Sequence, residues 1–210
     1  MKRILFQGDS ITDWFRGRER EDVLGSNYVT MIAGELGYEF PCEYEVINRA
    51  VSGDRVVDIL ARMQKDIIEL KPDYLSILVG INDVWHGYDW SNGVSAERYE
   101  IYYDLLVSGV KEALPDIKIM ILEPFVLDCT VTENRWEPFR HDVEMRAAAA
   151  KRVAEKYNMI FVPLQKRFDD ALEKAPATHW TSDGVHPTAA GNCIIKKAWL
   201  EAFSALENDI

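Results

Sequence analysis

The sequence predicts an α/β domain built on a five-stranded parallel sheet with helices on both faces. Five short apolar runs alternate with stretches of helical spacing along the whole chain. The third run, Tyr74 to Val79, is continuously apolar in character, as a strand covered on both faces should be, while Tyr44 to Asn48 alternates. No repeat, low-complexity tract or linker breaks the pattern, so residues 1–210 read as a single domain.

Ile4, Leu5 and Phe6 leave no room for a helical turn before Gly8. They read as a buried strand ending in the turn Gly8-Asp9-Ser10. Residues 13–25 are polar and charged, a surface loop in which Trp14 and Phe15 are embedded. A helix is predicted from Ser26, with Tyr28, Val29, Ile32, Ala33 and Leu36 on one face and Gly37 as its stop. Tyr44 to Asn48 is the second strand, ending in the turn Ala50-Val51-Ser52-Gly53-Asp54. Val56 to Leu70 follows helical spacing and ends before Pro72. Tyr74 to Val79 is the third strand and runs into Gly80-Ile81-Asn82-Asp83. Trp85, His86, Tyr88, Asp89, Trp90 and Asn92 read as a polar and aromatic loop. Next come a helix from Ala96 to Leu114, a strand from Ile117 to Leu122, an alanine-rich helix from Phe139 to Tyr157 and a strand from Met159 to Pro163. Helices over Lys166–Lys174 and Thr188–Leu206 complete the chain.

Bulk properties narrow the function. With 48% hydrophobic and 28% charged residues, the chain can bury a substantial core and shows no sign of disorder. A net charge of −11 argues against nucleic acid and anionic membrane surfaces as partners. Cys42, Cys129 and Cys193 form no Cys-x-x-Cys pair, so neither a disulfide framework nor a structural zinc site is expected. Met1-Lys2-Arg3 leads into three apolar residues, not the roughly 7–15 of a signal peptide, and no run approaches the ~20 of a membrane span. A cytoplasmic protein without membrane partners is expected.

In a parallel α/β sheet the loops after the strands' carboxyl ends gather along one edge and build the site. Ser10, Gly53 and Asn82 lie in such loops, after strands one, two and three. Alone, Ser10 is an ordinary turn residue. Asp183-Gly184-Val185-His186 changes that reading, because a hydroxyl attacks only when a base takes its proton and a third group fixes that base's tautomer. The three-residue spacing lets Asp183 reach one ring nitrogen of His186 while the other faces outward. Ser10, His186 and Asp183 are thus nucleophile, base and orienter. The backbone N–H groups of Ser10 and Gly53 and the side-chain amide of Asn82 are candidate oxyanion donors. Asp9 reads as a structural residue of its own loop, and Asp83 as a cap or turn former. A metal reading of Asp183 and His186 lacks a third ligand at a recognisable spacing. His86, His141 and His179 read as surface or pocket lining. Trp14, Trp85, Trp90 and Trp180 fall in loops near these blocks and suit a platform for sugar rings.

Gly8-Asp9-Ser10, Gly53, Gly80-x-Asn82-Asp83 and Asp183-x-x-His186 resemble, in order, the four blocks of the SGNH/GDSL hydrolases. The resemblance implies a flavodoxin-like three-layer α/β/α sandwich and esterase activity without a cofactor. It also implies a Ser nucleophile with a Ser10/Gly53/Asn82 oxyanion hole. Gly80-Ile-Asn-Asp-Val-Trp85 followed by Tyr88-Asp89 is similar to the bacterial acetylxylan esterase branch. That narrower likeness implies an acylated carbohydrate substrate and a homo-oligomer, which light scattering at micromolar concentration tests. Two other readings use the same loops: a lysophospholipase or thioesterase, and a non-catalytic flavodoxin-like binding module. The stretch 128–138 carries no motif.

Overall fold

The computed structural model describes residues 1–208. The strands are β1 (Lys2–Gly8), β2 (Tyr44–Asn48), β3 (Tyr74–Leu78), β4 (Lys118–Leu122) and β5 (Ile160–Val162). All pair in parallel, in the order β2-β1-β3-β4-β5. This is the flavodoxin-like order. The strand sequence reverses direction at β1 and β3, where carboxyl-end loops diverge and leave a crevice. Gly8 pairs with Leu78, and Phe6 with Asn48 and Ser76, so the loops after β1, β2 and β3 leave the sheet side by side.

Helices cover both faces because every central strand is apolar on both. On one face Ile4, Phe6, Leu78 and Met120 pack against α2 (Tyr28–Glu39), α7 (Gln165–Ala171) and α9 (Ala189–Asn208). On the other, Leu5, Ile77, Ile119 and Ile121 meet α3 (Val56–Asp66), α5 (Ala96–Ala113) and the later half of α6 (Trp136–Lys156). Buried Trp199 ties α9 to the sheet by donating its indole N–H to Ser76 Oγ at 3.0 Å. Among the described residues no helix is long and apolar enough to cross a membrane.

Several predicted boundaries move. A short helix, α1 (Ser10–Asp13), directly follows β1. Helix α2 is capped by Asn27, not begun at Ser26, because the Asn27 side chain accepts the N–H groups of Val29 and Thr30. Gly37 does not stop it: the helix runs on to Glu39, since a glycine costs only ~1 kcal/mol where packing holds the remaining turns. The Val56–Leu70 stretch splits into α3 and a 3₁₀ turn over Ile68–Leu70. The aromatic stretch after Asn82 is no loop but helix α4 (Ile81–Trp90), and Trp180 ends a further short helix, α8 (Ala177–Trp180).

Candidate active site

At the end of β1 the backbone passes so close to β3 that a Cβ on Gly8 would stand 2.3 Å from the Leu78 carbonyl oxygen. Only glycine fits that approach. Asp9 then caps α1 by accepting the Ile11 N–H at 3.0 Å, as its structural reading required. Its carboxyl is buried, and burial pushes its pKa up to about 7 against the Ile11 hydrogen bond and the nearby His186. Ser10 is thereby set at the first turn of α1, partly open to solvent.

His186 lies between α8 and α9. Asp183 Oδ1 accepts the backbone N–H groups of Val185 and His186 at 2.9 and 2.8 Å, and Asp183 Oδ2 lies 2.6 Å from His186 Nδ1. Burial pushes the Asp183 carboxyl up, but the hydrogen bonds from the His186 ring and from both backbone N–H groups outweigh it. They hold Asp183 below the ordinary carboxylate range. The other ring nitrogen, His186 Nε2, stands 2.8 Å from Ser10 Oγ across 176 residues of chain. The stretch 128–138, silent in the sequence, helps hold this loop. Val131 N–H donates to the Asp183 carbonyl at 3.2 Å, and Leu127 N–H to that of Gly184 at 2.8 Å. Buried Thr132 locks the supporting turn through its hydroxyl, which donates to the Leu127 carbonyl.

The loop after β2 is tied to α1. Buried Asp13 accepts both the Ser52 N–H at 2.8 Å and the Ser52 hydroxyl at 2.7 Å, and Val51 N–H donates to the Gly8 carbonyl at 3.1 Å. The next residue, Gly53, has φ +88°, and the space a side chain would take is open. A left-handed backbone with nothing over it leaves that turn open to a small ligand. Asn82, in the first turn of α4, donates its amide to the Asp54 carbonyl at 3.1 Å and so joins the same loop. Neither it nor Asp83 caps α4, whose N-cap is Gly80. Asp83 instead caps the neighbouring α3, its carboxyl oxygens lying 3.2 Å from the Val56 N–H, which donates to them.

Burial pushes the Asp83 carboxyl up to about 8. Asp9 and Asp83 therefore keep protons in the folded chain that the unfolded chain releases near pH 4. The folded state binds more protons between that pH and about 8, so their contribution to stability falls as pH rises through this window. The melting temperature should be lower at pH 9 than at pH 6, and Asp83→Asn should narrow the difference. An unchanged slope in the variant would remove Asp83 as a source.

The four tryptophans divide. The Trp14 ring lies 4.9 Å from the His186 ring, tilted by 33°, and the Trp85 ring 6.1 Å away. Trp90 is exposed and packs on His86, while Trp180 donates to the Ala175 carbonyl and packs on His179. Their ring contacts are with those histidines, not with His186. His141 lies exposed on α6. Arg135 pairs with Asp89 and stacks over Tyr88 at 5.3 Å, fixing α4 against the otherwise featureless stretch.

Residues 6–194 match the GDSL-like lipase/acylhydrolase family. The chain is 35% identical over 206 residues to an acetylxylan esterase of Geobacillus stearothermophilus, covering 95% of this chain and 92% of that one. The crystal structure of Axe2, an acetylxylan esterase from that organism, superposes with a TM-score of 0.84 at 34% identity, over 96% of this chain and 93% of its own. A GDSL-like protein from Parabacteroides merdae superposes with a TM-score of 0.89 at 36% identity, over 96% and 94%. The chain belongs to the GDSL-like lipase/acylhydrolase family and is a carboxylic ester hydrolase.

Proposed function

We propose that the protein removes acetyl groups from carbohydrate esters, acetylated xylo-oligosaccharides above all, through an acyl-enzyme on Ser10. The Asp183–His186–Ser10 relay, at 2.6 and 2.8 Å, carries this reading. His186 takes the Ser10 proton as Oγ attacks the ester carbonyl, and Asp183 stabilises the resulting imidazolium. The proton then goes to the departing sugar oxygen, and water repeats the sequence to free acetate. The Ser10 and Gly53 N–H groups and the Asn82 amide receive the negative charge. Neighbours known as acetylxylan and acetyl-xylooligosaccharide esterases support the sugar ester as substrate.

Asn82→Ala should lower kcat by about 10²–10³ with little change in KM, because an oxyanion donor acts mainly in the transition state. A raised KM at constant kcat would make Asn82 a substrate-binding residue instead.

Acetyl esters should be preferred over octanoyl esters. A long acyl chain gains ~0.8 kcal/mol per buried methylene only where an apolar channel receives it. Around His186 stand the rings of Trp14 and Trp85 with polar Ser182 and Asp183, a mixture that suits a hydroxylated ring better than a lipid tail. Values of kcat/KM across p-nitrophenyl esters of two, four and eight carbons, with acetylated xylo-oligosaccharide and a lysolipid alongside, test the assignment. Octanoate as best ester with the sugar untouched would replace it by the lysophospholipase reading.

A further inference from the structure

We infer that a groove running from Trp14 between α2 and the start of α9 is the leaving-group subsite, and that it takes the pyranose rings of the alcohol half of the ester. This rests on the sugar-acetylesterase reading. The groove encloses about 530 Å³, and its walls combine apolar faces from Trp14, Met31 and Pro187 with the hydroxyl side chains of Thr30 and Ser182. That size and that mixture fit a small polar ligand with apolar ring faces.

The chemistry decides which half of the ester lies there. His186 must hand its proton to the leaving oxygen as the C–O bond breaks, so the alcohol half has to sit on the His186 side of Ser10, within reach of Nε2. The groove begins on that side: Trp14 lies against the His186 ring at 4.9 Å, and Ser182 and Pro187 flank the histidine in sequence. The Gly53 and Asn82 loops carry the proposed oxyanion donors and take the carbonyl oxygen.

The backbone at the groove's mouth is held in an uncommon conformation. Trp14 ends α1 at φ 14°, and Phe15 follows at φ 64° with its ring 79% exposed and edge-on to Trp14 at 5.5 Å. A bulky residue in left-handed backbone with its ring in water is costly in both respects and persists only where its surroundings enforce it. The conformation sets the exposed Phe15 ring edge-on beside Trp14, the residue that lines the groove and lies over the base, and so adds an aromatic surface next to it.

Ala189, exposed at the first position of α9, lines the groove together with Thr30 of α2, and an arginine at either position obstructs it. The wild type, Ala189→Arg and Thr30→Arg are to be compared on acetylated xylotriose, p-nitrophenyl acetate and p-nitrophenyl butyrate, with unacetylated xylotriose as inhibitor. Both variants should lower kcat/KM for acetylated xylotriose about tenfold more than for p-nitrophenyl acetate and weaken inhibition by xylotriose in proportion. The acetate-to-butyrate ratio should stay as in the wild type. If the ratio changes while the sugar ester is unaffected, the groove holds the acyl group and the inference fails. If the wild type deacetylates xylotriose and neither variant alters its selectivity, the subsite alone is lost. If the wild type is inert towards the sugar ester, the sugar reading and the subsite fall together.

Discussion

Ser10→Ala should lower kcat by roughly 10³–10⁶ while the fold stays intact, because members of such a triad act as one unit. The serine hydroxyl meets the His186 ring, whereas the capping of α1 falls to Asp9 and the tight turn before it to Gly8. Deleting Oγ therefore removes the attacking atom and leaves the local structure its own supports. Residual turnover would come from the oxyanion donors and substrate binding, which survive the change. The comparison is kcat for p-nitrophenyl acetate with circular dichroism on the same preparation. A pure variant keeping more than a tenth of wild-type turnover would remove Ser10 from the mechanism.

Asp183→Asn should cost up to ~10⁴ in kcat through the tautomer of His186. Asp183 uses one carboxylate oxygen for the Val185 and His186 N–H groups and the other for His186 Nδ1. An asparagine can keep the first pair through its carbonyl, so the loop should hold. Its amide then faces Nδ1 as a donor, which makes Nδ1 an acceptor and moves the ring proton to Nε2, where it blocks uptake of the Ser10 proton. The melting temperature should change little beside the loss of turnover. A loss below threefold would leave the His186 orientation to the backbone alone.

The central strands were legible as apolar runs because both of their faces are buried, whereas edge strand β2 showed as the alternation Tyr44-Glu45-Val46-Ile47-Asn48. The site blocks were legible because glycine, serine, asparagine and the Asp-His pair fall where strand-end loops converge. What stayed hidden depends on contacts between segments. Trp85, His86, Tyr88 and Trp90 look like a loop because aromatic and polar residues mix without a clean apolar stripe. They form α4 because Val84 is buried, the Asp83 carbonyl accepts the Val94 N–H, and Arg135 grips Asp89. The 128–138 stretch has no chemistry of its own and bonds the His186 loop mainly through backbone groups, which leave no trace in side-chain spacing. Trp14 and Trp90 are equally aromatic and both follow a block in sequence, yet only the fold shows that Trp14 alone of the two meets His186.

The separation of 176 positions between Ser10 and His186 also sets the order in which the site is made. On a ribosome, β1 and its serine emerge while most of the chain is still to be made, and until the last segment follows, that serine is a plain alcohol. His186 reaches it when α9 docks beside α2, a union sealed where Asn192 accepts the Tyr28 N–H at 2.9 Å. An incomplete chain therefore carries the proposed nucleophile without the histidine that stands 2.8 Å from it in the folded molecule.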